Sequence, residues 1–144
     1  MEVQNMRMKV FNVILQSADK KAGGTNVNFT VSLQEPITNV VAIRPLDITI
    51  QSDAPVSNLL IALNNYSKYL PVNDNNVRIF ARASTGTTVF PAVAASIMDD
   101  PYTYILNPIE PRLQRFEVAL YGSDYVKYTT TSTTISMTLA IYTL

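Results

Sequence analysis

The chain has 144 residues, 47% of them apolar and 15% charged, and its 11 basic and 11 acidic side chains cancel. It contains no cysteine and no histidine, which excludes disulfides, thiol nucleophiles, serine–histidine triads and the commonest metal ligand. The length predicts one domain. The absence of a basic excess argues against nucleic-acid binding, and no apolar run reaches the roughly 18 residues of a membrane span.

The beginning of the chain is polar and then becomes strongly apolar. Residues 1–7 have no clear period, so we predict a flexible N-terminal arm before a single domain that covers residues 8–144. This start lacks the apolar core of a signal peptide. The segment 8–16 is apolar on both alternating faces, which predicts a strand that is covered on both sides, whereas 27–34 alternates cleanly and predicts one buried face.

Prolines punctuate the middle of the chain. Glu35-Pro36 ends the second predicted strand, and Pro45 lies within 37–51 where the apolar residues change parity. Because proline lacks a backbone donor, Pro45 predicts a bulge or a strand corner. The segment 107–112 contains two prolines and is interpreted as a loop that stays out of any sheet centre.

Two strongly alternating segments end the chain. Residues 113–121 place Phe116 and Val118 on one face, and residues 133–142 alternate isoleucine, methionine and leucine with small or hydroxyl side chains. This pattern predicts two antiparallel strands, each with one core face, joined as a hairpin by a turn and a polar run.

The whole pattern predicts an all-β protein, since no stretch combines a helical period with helix caps. The eight principal strands are predicted at 8–16, 27–34, 37–51, 58–63, 77–83, 102–106, 113–121 and 133–142. Eight short strands with some long connections indicate a single eight-stranded jelly-roll β-sandwich of two four-stranded sheets. An immunoglobulin-type sandwich is the competing fold, but it would more often carry a core tryptophan, and this chain has none.

Acidic residues are the first candidates for chemistry. Asp99 and Asp100, with Glu110 and Asp124, could supply the paired carboxylates of a glycosidase. We favour a solvated turn that ends at Pro101, because nothing in the spacing forces an acid and a nucleophile to the required separation.

Two further motifs are considered as ligand sites. Asn73–Asn76 offers oxygen ligands for Ca²⁺, but a single carboxylate is a poor start and such residues are ordinary turn formers. Gly23-Gly24 follows Lys20-Lys21 and suggests a phosphate cradle, but the segment does not match a P-loop. We therefore predict no catalytic, cofactor or metal site.

The predicted surface carries few charges and many hydroxyl groups. Tyr66 and Tyr69 flank Lys68, and Tyr125 and Tyr128 flank Lys127. Such groups could stack bases or sugars, but with zero net charge we favour protein contacts or loop packing. Depletion of charge and enrichment of tyrosine are typical of surfaces where subunits meet.

Four segments together carry a family resemblance. They are VFNVILQSADKKAGGTNVNFTVSL (10–33), PITNVVAIRPLDITI (36–50), YILNPIEPRLQRFEVALYGSD (104–124) and TTISMTLAIYTL (133–144). In combination they resemble the small single jelly-roll capsid proteins of large double-stranded DNA viruses and their virophage-like relatives. Members of that family are vertex (penton) proteins or minor proteins that glue the lattice of double jelly-roll major capsid proteins.

The resemblance implies a virion structural protein, made in the host cytoplasm and incorporated into the capsid shell. We expect a penton subunit that forms a homopentamer at each five-fold vertex and contacts the major capsid protein or other minor capsid proteins. No inserted tower domain is present, which favours a plain plug or cement role. The alternatives are a minor capsid or cement protein and, from another class, a glycan-binding β-sandwich module; an enzyme is not expected.

The candidate interface residues are those that flank the closing segments or lie in the polar loops. They are Arg7, Tyr66, Tyr69, Arg112, Arg115, Tyr121 and Tyr125.

Overall fold

A computed structural model describes residues 8–69, 76–91, 96, 99–130 and 132–144. In these residues the structure is all-β, without an α-helix, and its sheet curls into a half-barrel. The strands are β1 (Lys9–Gln16), β2 (Asn28–Gln51), β3 (Leu59–Leu63), β4 (Ala81–Ala83), β5 (Gly86–Val89), β6 (Tyr104–Tyr121) and β7 (Thr134–Thr143). A single turn of 3-10 helix, Ser17–Asp19, follows β1. The described part of the chain has no helix with the length and hydropathy of a membrane span.

The long strand β2 connects the two halves of the sheet. Its first part pairs with β6, and its second part pairs with β7 along one edge and with β5 along the other. The strand order is β1-β7-β2-β6-β3-β4, with β5 attached to β2. Every pairing between these strands is antiparallel.

The predicted break at Pro36 is an irregularity inside one continuous strand. The segments 27–34 and 37–51 were predicted as two strands, but β2 spans both. The pairing of β2 with β6 nevertheless skips from Ser32 to Ile37, because a proline cannot donate to the ladder. The bulge predicted at Pro45 is confirmed, since the pairing with β7 shifts register between Pro45 and Asp47.

The loop predicted at 107–112 is wrong for a similar reason. Strand β6 runs without interruption through both prolines and joins the segments predicted as 102–106 and 113–121. Its pairing with β2 is interrupted between Ile105 and Glu110, so Pro108 lies in an unpaired stretch. Proline therefore perturbs the ladder here without ending the strand.

The two closing segments do not form a hairpin with each other. Strands β6 and β7 lie on either side of β2, and each pairs with it in antiparallel orientation. The alternation correctly predicts their buried faces, as Phe116 and Met137 are both fully buried. A period of two identifies the face that a strand buries, but it carries no information about the neighbouring strand.

Strand β1 was predicted to be covered on both faces, and this is also wrong. It lies at the edge of the sheet and pairs with β7 alone among the described residues. Val10 is 53% exposed and Ile14 is 59% exposed, whereas Leu15 reaches the core. At this edge, apolar residues on both alternating faces of a strand therefore do not mean that both faces are buried.

The core lies inside the curl of the sheet and takes side chains from most of the strands. Its largest fully buried members are Phe80, Phe116, Leu15, Ile43, Ile48, Ile50, Leu59, Ile61, Leu63, Leu120, Ile135 and Met137. Because these residues come from sequence-distant strands, the core depends on the long-range pairings of β2 and β6 rather than on local hairpins.

Two phenylalanines allow a matched test of this core. Phe116 is fully buried, whereas Phe11 is 44% exposed on β1. We expect Phe116→Ala to lower the free energy of unfolding by about 3–5 kcal/mol, because it opens a cavity that the surrounding sheet cannot close. Phe11→Ala should lower it by less than about 1 kcal/mol. Urea unfolding at low protein concentration measures both, and equal losses would contradict the exposed position of β1.

Candidate functional site: two surface depressions and a buried ion pair

A buried ion pair lies beside the bulge of β2. The guanidinium Nε of Arg44 donates to Oδ2 of Asp100, and the two residues are 5% and 7% exposed. The remaining guanidinium nitrogens donate to backbone carbonyls, at 3.1 Å to Pro45, 3.1 Å to Phe90 and 2.7 Å to Pro91. The expected solvated turn is therefore wrong for Asp100, whereas Asp99 is exposed.

The surroundings of Asp100 favour its charged form. Burial by itself would raise the pKa of Asp100, but the hydrogen bond from Arg44, the backbone N–H of Tyr102 at 2.9 Å and the charge of Arg44 together hold that pKa below its ordinary value. The ring of Tyr102 also lies 5.9 Å from the guanidinium carbon of Arg44. The two contacts of Arg44, with Asp100 and with the ring of Tyr102, attach the segment before β6 to β2.

The other acidic residues do not join this pair. Asp124 accepts a hydrogen bond from the backbone of Val126 in the turn after β6, and Glu110 lies within β6 itself. No group of three or more acidic, histidine or cysteine side chains suited to a metal is found among the described residues. Of the proposed calcium segment only Asn76 is described, and positions 73–75 lie outside the described residues.

The glycine loop is not organised as a phosphate cradle. The backbone N–H of Lys21 donates to Thr30 at 2.8 Å, and that of Gly24 donates to Lys21 at 3.3 Å. Gly24 packs so closely on Phe29 that a Cβ added to Gly24 would lie 3.2 Å from the Cα of Phe29. These two amides are used within the fold and are not directed at a ligand.

One shallow depression brings Tyr69 and Tyr125 together. We call it the Tyr69 depression, and it is lined by Asn58, Leu60, Tyr69, Ile79, Arg82, Ser123 and Tyr125. Tyr69 is 41% exposed. A tight turn, in which the N–H of Tyr125 donates to Gly122 at 3.0 Å and Tyr125 adopts a φ of 63°, holds the second tyrosine in place. Arg82 is fixed by a 2.7 Å hydrogen bond to Asn58.

A second depression brings Tyr66, Arg112 and Arg115 together. We call it the Tyr66 depression, and it is lined by Asn64, Asn65, Tyr66, Glu110, Arg112, Leu113, Gln114 and Arg115. The ring of Tyr66 stacks on Tyr104 with centroids 5.1 Å apart. Burial raises the pKa of Tyr66, the side chain of Asn64 opposes that rise, and the carboxylate of Glu110 adds to it. Tyr66 therefore stays a neutral hydrogen-bonding group.

The rim of the Tyr66 depression is fixed by Asn64. Its backbone N–H and side-chain oxygen both bond the backbone of Glu117, at 2.9 and 2.7 Å, and its side-chain amide donates to the carbonyl of Arg115 at 3.2 Å. Asn64 adopts a left-handed φ of 48°, which asparagine tolerates well. The ion pair of Arg115 with Glu117 at 3.2 Å is exposed, so it adds little stability.

Five of the seven predicted interface residues thus fall into these two depressions. Tyr121 lines neither of them, because it is half-buried and pairs with Leu60 and Lys127. Arg7 lies outside the described residues. Sequence reasoning missed Arg44, because an arginine inside an apolar strand segment gives no sign of a carboxylate partner 56 residues away.

Comparison with known protein families finds no family model that matches the chain, and comparison with curated proteins finds no significant match.

Two neighbouring aspartates test the buried ion pair. We expect Asp100→Asn to lower the free energy of unfolding at neutral pH by about 3–5 kcal/mol, because Arg44 remains buried without its counter-charge. Asp99→Asn, the matched control on an exposed side chain, should change it by no more than about 0.5 kcal/mol.

The free energy of unfolding that Asp100→Asn loses should also depend on pH. The pKa of Asp100 is lower in the folded chain than in the unfolded chain. Its stabilising contribution is therefore complete above the unfolded value of about 3.9, and it is lost as the pH falls through the folded value. The difference between the wild-type protein and Asp100→Asn should shrink at acid pH in urea titrations. A difference that stays constant would contradict the ion pair.

Proposed function

We propose that this chain is a virion structural protein, a single eight-stranded jelly roll that serves as the penton subunit of an icosahedral capsid. The observation that carries the proposal is the nested order of strand pairings. The family resemblance described above supplies the biological role, and the low-charge surface with its two tyrosine- and arginine-bearing depressions is consistent with it.

The nested order emerges when β2 alone is divided into two halves at its proline irregularities, which turns the seven described strands into eight. The first strand pairs with the last, β1 with β7. The first half of β2 then pairs with the second half of β6. The second half of β2 pairs with β5, and β3 pairs with β4. These nested pairs form a long two-stranded ribbon. When such a ribbon is rolled up, β7 also comes to lie beside β2 and β6 beside β3, and both of these pairings are present. This arrangement is typical of a jelly roll with Greek-key crossings.

The outward side chains of β7 support a role in assembly. Thr134, Ser136 and Thr138 alternate with buried apolar residues and are each half-buried. A face built from hydroxyl groups can be covered by another subunit without burying an unpaired charge, and interface cores are depleted of charged residues.

A closed ring needs two different patches that fit each other, since its contacts are head-to-tail. The Tyr69 and Tyr66 depressions are two distinct patches with the tyrosine and arginine side chains that are enriched at interfaces. We assign them as the two sides of the contact between neighbouring penton subunits. In the alternative role of a minor capsid or cement protein, the same depressions would contact the major capsid protein.

The Tyr69 depression also favours a second candidate, a glycan-binding module. Tyr69 and Tyr125 line one concave surface with Arg82, which is an arrangement that could stack and hydrogen-bond a sugar. This function requires only the monomer, and a defined glycan would bind to it in the absence of other subunits.

Mass measurement after size exclusion tests the proposal. The purified chain should form five-copy rings, and Glu110→Arg should reduce the five-copy fraction at least about tenfold, because it removes the carboxylate of the Tyr66 depression and leaves only arginines to face Arg82 of the Tyr69 depression. Glu35→Arg, the same change of charge at an exposed position outside both depressions, should leave the rings intact.

The other outcomes select between the remaining functions. A monomer that binds only to sheets of the major capsid protein favours the cement role. A monomer that retains a defined glycan on an array, and loses it in Tyr69→Ala, overturns the capsid proposal in favour of glycan binding.

A further inference from the structure

The outer edge of the sheet is formed by β1, an apolar strand for which the described residues supply no partner on its far side. Among the described residues, β1 pairs with β7 only. Three of its side chains are large, apolar and exposed: Val10 at 53%, Phe11 at 44% and Ile14 at 59%. Because successive side chains of a strand point to opposite faces, Val10 and Ile14 lie on the outer face of the sheet and Phe11 lies on the inner face.

Among the described residues, this edge has few of the features that keep natural edge strands from pairing. Its eight residues include no proline and one charge, Lys9 at its very beginning. The pairing with β7 is regular from Lys9 to Gln16, so no bulge twists the edge away. Unprotected apolar edges of this length recruit another strand, and the inward Phe11 additionally borders an open groove with Leu33 and Leu144.

The sequence of β1 is complementary to itself in one antiparallel register. If Asn12 lies opposite Asn12 of a second copy, Val10 faces Ile14 on the outer side and Phe11 faces Val13 on the inner side. Lys9 then falls at the end of the ladder, opposite Leu15, far from the other lysine. Each cross-strand pair between Val10 and Val13 joins apolar to apolar or amide to amide, which is the pairing that stabilises sheets.

We propose that β1 pairs with β1 of a second copy of this chain, antiparallel and about a two-fold axis at Asn12, so that two half-barrel sheets join edge to edge. Such a contact is isologous and closes at two copies. It is independent of the penton proposal, because a five-membered ring contains no two-fold axis between its neighbours. One strand from each copy makes a small interface, so the dimer should dissociate on dilution.

Single cysteine substitutions test both the contact and its register, because the chain has no cysteine of its own. Opposed residues in an antiparallel pair have Cα atoms about 4.5–5.5 Å apart, within the range that a disulfide spans. The full-length Asn12→Cys protein should therefore form a disulfide-linked dimer on mild oxidation. Val10→Cys is the matched control, since its two copies would be about 13 Å apart, and it should stay uncross-linked.

Mixing two variants completes the test of register. Val10→Cys and Ile14→Cys should form a mixed disulfide with each other, while neither does so alone. Asn12→Asp places two carboxylates on the axis and should raise the dissociation constant of the dimer at least about tenfold at neutral pH, with the far-ultraviolet circular dichroism of the monomer unchanged. Failure of Asn12→Cys to cross-link, or equal cross-linking of Val10→Cys alone, overturns the proposal. Five-copy rings without dimers would also overturn the proposed β1 pairing, but they would leave the penton proposal intact.

Discussion

The fold depends on one strand that belongs to both halves of the sheet. Strand β2 pairs with β5, β6 and β7, and no other strand in the described part of the chain has three partners. Each of its halves buries alternate side chains on the inside of the curl, with Val31 in the first and Ile48 in the second. The register shifts near Pro36 and Pro45 allow the strand to turn without losing its ladder, so the two halves can face each other across a common core.

The buried ion pair reinforces this strand beside its second proline irregularity. Arg44 directly precedes the bulge, where a regular ladder cannot satisfy every backbone group, and its guanidinium binds three carbonyls together with Asp100. The ion pair fixes the relative position of the two segments more than it stabilises the fold, because the cost of removing two charges from water offsets much of their attraction. It attaches the segment that leads into β6 to β2.

The surface carries three features that the two proposals use. Three of its tyrosines and three of its arginines line two depressions, the outward positions of β7 are rich in hydroxyl groups, and β1 is an apolar edge strand that pairs only with β7 among the described residues. These are the features on which the two proposed contacts rest. The two proposed contacts use different surfaces, so a ring and a two-fold pair can form on the same subunit.

Much of the local structure was predictable because side-chain alternation is a local property. The all-β class, the inward faces of β2, β6 and β7 and the bulge at Pro45 follow from the order of residues alone, since a strand exposes its faces with a period of two. The partners of each strand were not predictable from this pattern. Whether β6 meets β7 or β2, whether β1 is covered, and whether Asp100 finds Arg44 depend on contacts between residues far apart in sequence, which form only when the whole sheet closes.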